Sequence, residues 1–189
     1  MGDLHDNRGE FDPNRRLEDF TSDFLASLAM EYARAYLAMD GFWNGAVTQK
    51  SGKDAAMDCE LLVWRRMATY ALPKIARLAE IELPVRDLLE ALKVWQITPD
   101  QVTPDIYKIE YDVKDRNHVI GTVTYCATLE RLEKSAPDMI IPLCHRVEVD
   151  AVEAQCRVLH PGIKATALKL PPRSSPNEIA CQWDYRLET

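Results

Sequence analysis

The residues whose types and spacing could do chemistry lie between Pro142 and Leu159. If this segment is helical, a turn of 100° per residue places Cys144, Glu148 and Gln155 on one face, opposite a stripe of charged residues. A thiol, a carboxylate and an amide thus occupy positions where a core helix carries apolar side chains. Burying such groups without partners costs roughly 1–3 kcal/mol each. The pattern predicts either structural partners for these groups or a pocket that they line.

Cys144, His145 and Glu148 are the candidate catalytic residues of this face. Cys144 and Glu148 are four residues apart, close enough on a helix to share a proton, and His145 is adjacent in sequence. A Cys144 thiolate paired with His145 would be a nucleophile. Alternatively, Glu148 could activate a water directly, with Gln155 donating a hydrogen bond to the substrate. Structural roles remain open: the thiol in the core, Glu148 paired with an arginine, and His145 as a cap.

A metal ion is the competing use of the same atoms. Thiolates, an imidazole and a carboxylate suit zinc or iron in tetrahedral coordination. The candidate ligands are Cys126, Cys144, His145 and Cys181. The sequence has no CxxC, HxxxH or HExxH pair, and closely spaced ligands are what make such sites recognisable. We therefore predict no cofactor, with zinc or iron at these residues as the alternative.

Composition excludes several classes of function. The formal net charge of −7 argues against nucleic acid and anionic membranes as partners, because both favour a basic face. No segment is long and apolar enough to span a bilayer, and the amino terminus lacks the hydrophobic region of an export signal. The five cysteines are odd in number and widely spaced, which indicates reduced thiols. We expect a cytoplasmic protein.

Apolar residues spaced by three and four predict a helical amino-terminal half. Residues 1–16 are predicted to be a flexible polar tail, and 17–189 a single domain. The predicted helices cover 17–39, 53–79 and 85–95. Asp40-Gly41 is a typical helix stop, and Pro73 should kink or split the second helix.

The carboxyl-terminal half alternates between strands and helices. Residues of alternating polarity predict two hairpins, whose strands cover 107–113, 119–126, 163–170 and 179–187. Two helices, over 129–134 and 142–159, separate the hairpins. This order predicts an α+β fold with an antiparallel sheet packed on helices.

Two stretches resemble a known bacterial group. The string DGFWNGAVTQKSGKDAAMDCELLVWRRM, with Trp43 and Trp64, looks like the amino-terminal signature of a family related to L-2-amino-thiazoline-4-carboxylic acid hydrolase. The tail from Leu159 through Arg173 to Trp183 looks like its carboxyl-terminal signature. The resemblance implies a hydrolase acting on a heterocyclic or amide-like substrate. The order of elements also resembles vinyl-reductase-type and TRAPP domains, which implies a four-stranded sheet and, alternatively, a non-catalytic sensor that binds a small molecule or metal.

Aromatic side chains could complete a pocket around this face. Rings on inward faces serve either as core or as a mostly apolar cavity with a few polar points. The candidate substrate-binding aromatic residues are Trp43, Trp64, Tyr107, Tyr111 and Trp183. Arg173, in a proline-rich loop, could clamp a ligand carboxylate with two hydrogen bonds, or could simply be solvated.

The first predicted helix carries more apolar surface than one small sheet can cover. Its aromatic and aliphatic residues are Phe20, Phe24, Leu25, Leu28, Tyr32 and Tyr36. Exposed apolar area of this kind generally marks an interface, and a symmetric pair is the commonest way to close one. The sequence therefore predicts a homodimer formed mainly by the amino-terminal helices, with the Cys144 pocket separate from that interface or bordering it.

Overall fold

A hairpin of two long helices makes up the amino-terminal half. The computed structural model describes residues 7–188, so part of the predicted tail lies outside the described residues. After a short 3₁₀ turn, α1 (Ser22–Ser51) and α2 (Lys53–Leu78) are joined by Gly52 alone. Its φ of 87° lies in the left-handed region that glycine adopts at little cost, and this lets the chain reverse within one residue.

The predicted helix stop at Asp40-Gly41 is wrong, and so is the connector after it. α1 continues through Gly41 to Ser51. A glycine inside a helix costs about 1 kcal/mol relative to alanine, which packing can offset. The side chain of Arg131 lies against Gly41, 3.4 Å from where a Cβ would be, and Asn44 bonds to α2 in the next turn. Tertiary contacts thus extend the helix past a local stop signal.

Pro73 does not split α2, since the helix runs to Leu78. Leu72 and Ala76 on either side of the proline are buried in the core, and this packing holds the helix in one piece. The third helix, α3 (Leu88–Trp95), begins three residues later than predicted. Asp87 is its N-cap and accepts a hydrogen bond from the Glu90 backbone N–H at 3.0 Å.

The sheet is antiparallel and four-stranded, as the resemblance implied. Its strands are β1 (Tyr107–Asp115), β2 (His118–Cys126), β3 (Ile163–Lys169) and β4 (Cys181–Leu187), in the order β1-β2-β4-β3. β4 buries alternate residues, including Cys181, Trp183 and Tyr185. Gly121 lies opposite Trp183, and a Cβ there would be 3.0 Å from the Tyr185 ring, so a glycine is needed where these rings pack. The predicted α+β fold is confirmed.

Helices between the two hairpins bring the candidate residues to the sheet. α4 (Ala127–Ser135) follows β2 directly, and a π-helical turn (Pro142–Val147) leads into α5 (Glu148–Leu159). The predicted single helix over 142–159 therefore begins with a π-turn, a rare conformation that is frequent at functional sites. α5 packs between α2 and β3, and Arg65 of α2 bonds to Asp150 of α5 at 2.7 Å. None of the helices in the described part of the chain has the length and apolar content needed to cross a bilayer.

Candidate functional site

Glu148 begins α5 directly after the π-turn. Its side chain is enclosed by protein, and this desolvation, followed by the charge of Asp100, raises the pKa of Glu148 to about 7. The residue nevertheless keeps some accessible surface. Within residues 7–188, the Glu148 carboxylate has no hydrogen-bond or ion-pair partner. An enclosed carboxyl group that keeps some accessible surface, and has no partner among the described residues, is a candidate for contact with a ligand.

Asp100 is the acidic residue whose charge acts on Glu148. It lies in the segment between α3 and β1, and burial raises its pKa, although contacts with the Thr98 hydroxyl and the Gln101 backbone oppose the change. Two carboxyl groups in one poorly solvated site do not both ionise readily, because like charges repel. Because the charge of Asp100 raises the pKa of Glu148, Glu148 is the group that retains a proton near neutral pH. Sequence reasoning missed Asp100, which lies outside every periodic segment.

Three thiols converge on Glu148 from separate elements. Burial, followed by the charge of Glu148, raises the pKa of Cys144 to about 12. Burial and then the charge of Glu148 raise the pKa of Cys181 to about 12 as well. The pKa of Cys126 is also raised, mainly by burial. Leu129 N–H donates to the Cys126 sulfur at 3.5 Å, and the Trp183 indole N–H donates to Cys181 at 3.4 Å. These surroundings keep the thiols protonated and do not fit a Cys144 thiolate nucleophile.

His145 is turned to the proline-rich loop. Its Nε2 lies 2.5 Å from the carbonyl oxygen of Pro171, to which it donates a hydrogen bond. The hydrogen bond links the π-turn to the loop after β3 and leaves Cys144 without a histidine base. His145 therefore has a structural role in this geometry.

The metal alternative is not supported by the arrangement of these side chains. In residues 7–188, no group of three or more His, Cys, Asp or Glu side chains is placed to hold a metal ion. Of the candidate ligands, Cys126, Cys144 and Cys181 come together, whereas His145 binds the Pro171 carbonyl.

Phenols complete the surroundings of the carboxyl pair. Burial and the charge of Glu148 raise the pKa of Tyr107 and of Tyr185 well above the ordinary value. The Tyr111 hydroxyl accepts a hydrogen bond from Gln101 Nε2 at 2.7 Å. Tyr107 is half-buried and neutral, so its hydroxyl can donate to a bound molecule. The substrate-binding roles of Tyr107 and Tyr111 stay predictions.

The other predicted binding residues lie elsewhere or are already engaged. Trp183 is fully buried beneath the sheet, and Trp43 is 54% exposed on α1. Gln155 is half-buried on α5, two turns after Glu148. Trp64 donates to Glu60 at 3.0 Å and meets Tyr36 edge-on, with ring centroids 6.3 Å apart.

Arg173 is neither solvated nor free to clamp a ligand. Its side chain is 4% exposed. Nε and one terminal nitrogen donate to the two oxygens of Glu133, both at 2.8 Å. The other terminal nitrogen donates to the Pro176 and Glu178 carbonyls. The guanidinium therefore fixes the 171–178 loop to α4.

A second carboxyl pair, absent from the sequence predictions, lies between α1 and α2. Burial and then the neighbouring Glu60 raise the pKa of Asp40 to about 7, while Arg131 acts in the opposite direction. Glu60 is buried and accepts hydrogen bonds from Asn44 at 2.7 Å and from Trp64 at 3.0 Å. The sequence signal that could have found this pair is the presence of Asp40 and Glu60 on the inward faces of two helices.

An apolar groove of about 700 Å³ opens beside the carboxyl groups. α1 forms one wall with Ala29, Ala33 and Tyr36, and the segment from Ile97 to Val102 forms the other. Burial, then the charges of Asp40 and Asp100, raises the pKa of Tyr36 to about 12, so this ring lies near both acids. The charge of Asp100 acts on Tyr36 at the groove and also on Glu148.

The comparisons with known proteins agree with the extent of this fold. No curated protein and no solved structure matches the chain. A family model matches residues 18–187, from the 3₁₀ turn before α1 to the last residue of β4. On that match, the chain belongs to the family of unknown function DUF6125.

Proposed function

We propose that this protein is a small-molecule hydrolase-like enzyme that acts on a heterocyclic or amide-like substrate with Glu148 as general acid. One observation carries the proposal: Glu148 is enclosed, unpartnered within residues 7–188, and has a pKa of about 7. A catalytic carboxyl group works best when its pKa lies near the working pH, and enzymes reach that value by burial and neighbouring charge.

The reaction uses the two carboxyl groups in opposite protonation states. Asp100, as the carboxylate, takes a proton from the attacking water while the water oxygen forms a bond to the electrophilic carbon. Glu148, whose pKa is about 7, gives its proton to the heteroatom when the carbon–heteroatom bond breaks. Transfer of the proton from Asp100 to Glu148 restores the starting state. The neutral Tyr107 hydroxyl supports the developing negative charge by donating a hydrogen bond.

This assignment replaces the Cys144–His145 nucleophile with a direct attack by water. The thiol has a pKa of about 12, and His145 binds the loop carbonyl of Pro171. Cys144 then lies near Glu148 and takes no part in covalent chemistry.

The test is turnover of 2-amino-thiazoline compounds, with and without a ring carboxylate, followed by mass spectrometry of the water-addition product. Glu148→Gln should lower kcat by about 100- to 10,000-fold, the usual contribution of a general acid or base. Cys144→Ser should keep most of the activity, and Glu153→Gln, on the exposed side of α5, is the matched control. Full activity in a folded Glu148→Gln protein would overturn the assignment.

A non-catalytic ligand-binding domain is the second candidate, favoured by the apolar groove beside Tyr36. Grooves of this size with few polar groups suit small organic ligands. Native mass spectrometry of protein purified from its own host separates the two functions. An organic ligand retained intact favours binding, and an empty protein that converts substrate favours the enzyme.

The homodimer remains part of this proposal, with a revised surface. Tyr36 faces α2, and Phe20 stacks on Phe24 with centroids 4.6 Å apart, so these rings pack within the chain. A different stripe of α1 is exposed, formed by Tyr32, Met39, Phe42 and Trp43. Its extent supports pairing of two copies through α1. Light scattering tests this: a mass near 21.6 kDa would show a monomer, and Phe42→Arg should dissociate a dimer.

A further inference from the structure

α1 is a long helix that the rest of the chain leaves largely uncovered. Among the described residues, Ala33 is the one buried residue of its 30. α2, with 26 residues, buries Ala56, Met57, Glu60, Ala68, Leu72 and Ala76. Most of the stability of a helix in a protein comes from the packing of an apolar face. The exposed apolar face of α1 therefore points to a contact with another molecule.

The apolar residues of this face follow a heptad spacing. They recur at intervals of three and four positions, the spacing with which two helices pair along a seam. The seam of α1 consists of Ala29, Tyr32, Tyr36, Met39, Trp43 and Ala46. Tyr32 and Met39 are each 66% exposed, and Trp43 is 54% exposed. At 1.5 Å per residue, the seam is about 26 Å long.

The groove of about 700 Å³ has the form of a hole for a large side chain. In paired helices, a side chain of one helix enters a hole made by four residues of the other, at positions i, i+3, i+4 and i+7. Residues with this spacing line the α1 wall of the groove, namely Ala29, Tyr32, Ala33 and Tyr36. Two of the four are alanines, which leaves room for a bulky ring. Trp43 is the largest exposed side chain of the seam.

The charge of the chain indicates which occupant this face accepts. The formal net charge is −7, so two copies repel each other wherever acidic surfaces meet. Between Arg34 and Lys50, however, the sequence has Asp40 as its one charged residue, and Asp40 is half-buried beside Glu60. A second copy can therefore approach this part of α1 without like-charge contact. An anionic membrane fits less well, because it repels an acidic chain.

The exposed area is sufficient for a stable pair of copies. The large side chains Tyr32, Met39, Phe42 and Trp43 expose between 54% and 74% of their surface. Since side chains of this size bury roughly 150–250 Å² each, the four offer roughly 500 Å² per copy and about 1,000 Å² for two copies. The alanines and the groove add to this area, and stable complexes bury about 1,200–2,000 Å².

We propose that two copies of this chain pair through antiparallel α1 helices, with Trp43 of each copy inserted in the groove of the other. This rests on the proposed homodimer and adds its register and its central contact. A two-fold axis at the middle of the seam, between Tyr36 and Met39, places Trp43 against Tyr32 of the partner subunit. It also places Ala29 against Ala46 of the partner subunit. The groove is then filled by protein, so a small ligand there would compete with pairing.

The first test is the dissociation constant of the dimer, measured for the full chain by sedimentation equilibrium. Trp43→Ala should raise it roughly tenfold or more, because a tryptophan at the centre of an interface is among its largest contributions. Leu62→Ala is the matched control, since Leu62 is 58% exposed on α2 and lies outside the seam. An unchanged constant in Trp43→Ala, or an equal rise in Leu62→Ala, overturns the proposed contact.

A size exchange tests whether Trp43 enters the groove. Ala29→Phe places a ring in the hole and should by itself raise the dissociation constant roughly tenfold, because the hole no longer accepts a tryptophan. Ala29→Phe combined with Trp43→Ala should bind more tightly than either single variant, since the new ring fills the space that the tryptophan leaves. Additive losses in the double variant contradict insertion. Circular dichroism identifies any variant that fails to fold.

Oxidative cross-linking tests the direction of the two helices. The double variant Ala29→Cys and Ala46→Cys should form a covalent dimer, because the antiparallel pair brings these positions together. Ala29→Cys alone should not, since that requires parallel helices. The wild type, with its five free cysteines, gives the background, and peptide mass spectrometry identifies the linked residues. A disulfide between two copies of residue 29 overturns the antiparallel register.

The outcomes separate this inference from the functions proposed above. A wild-type dimer that is insensitive to Trp43→Ala and to Ala29→Phe keeps the homodimer and removes the contact in the groove. A wild-type monomer at micromolar concentration, including one that binds phosphatidylcholine vesicles through α1, removes both. The hydrolase reaction is decided separately, by the turnover of Glu148→Gln.

Discussion

Two carboxyl groups in this molecule have similarly raised pKa values and opposite surroundings. Asp40, beside Glu60, and Glu148, near Asp100, both have pKa values raised to about 7, mainly by burial. Glu60 nevertheless accepts two hydrogen bonds from neutral donors, and Arg131 offsets the charge of Asp40. The Glu148 carboxylate has no such partner within residues 7–188. A raised pKa by itself therefore does not distinguish the two groups, and the absence of partners is the reason why we propose Glu148 as the functional one.

The difference follows from the elements that hold each pair. Asp40 and Glu60 face each other across two long helices, where Asn44 and Trp64 are one turn away and can donate. Glu148 begins a helix after a π-turn and faces a loop residue and the buried side of the sheet. Its neighbours there are thiols and phenols, which leave it free to exchange protons with a ligand.

The largest expected difference between the pairs is in stability. Glu60→Ala should lower the free energy of unfolding by about 3 kcal/mol, because the half-buried donors of Asn44 and Trp64 lose their acceptor and a cavity forms. Glu148→Ala should cost less than about 1 kcal/mol, since no hydrogen bond is lost and an enclosed charge is removed. Urea denaturation at pH 8 measures both values. A Glu148 variant as unstable as the Glu60 variant would indicate a structural role for both pairs.

A pH dependence of intermediate size should come from both pairs. Glu148 has an ordinary pKa of 4.5 and a folded value of about 7, and Asp40 rises from 3.8 to about 7. At pH values between the ordinary and the folded pKa, the folded state binds more protons than the unfolded state. The stability that this gives is present at low pH and is lost as the pH rises toward 7. Each group contributes at most about 1.4 kcal/mol per pH unit.

Glu148→Gln should therefore flatten the fall in stability between pH 5 and pH 7, and Asp40→Asn should flatten it separately. Urea denaturation at each pH gives the slopes. Identical slopes in the wild type and in both variants would mean that neither carboxyl group is protonated in the folded state near neutral pH.

The smallest expected effect is on thiol reactivity. The charge of Glu148 contributes to the raised pKa of Cys144 and of Cys181, after the larger contribution of burial. Glu148→Gln should therefore raise the rate of iodoacetamide alkylation at these thiols severalfold at pH 8, measured by peptide mass spectrometry. Glu60→Gln is the matched control and should change nothing at Cys144. Equal rates in the wild type and in Glu148→Gln would mean that the charge of Glu148 does not act on Cys144 and Cys181.

Much of the fold was predictable because local pattern and packing agree. The alternation in β4 predicted its buried face, with Trp183 and Tyr185, and the burial of alternate residues confirms it. The end of α1 was predicted wrongly because Asp40-Gly41 is a stop signal only when no neighbour packs against the glycine. Arg131 comes from a helix ninety positions later in the chain, and its contact with Gly41 could not be read from the local sequence.

The sequence by itself identified Glu148, because a carboxylate on a core-facing helix stripe breaks the apolar pattern wherever it lies. Only the tertiary structure decided what surrounds it. Asp100 comes from an aperiodic segment, and Cys126 and Cys181 from strands far apart in sequence, so their approach depends on how the sheet meets α5. Arg173 was open to either role until the fold placed Glu133 beside it. Residue type and spacing determine which groups can do chemistry, whereas their partners, and hence their charge and availability, depend on contacts between distant segments.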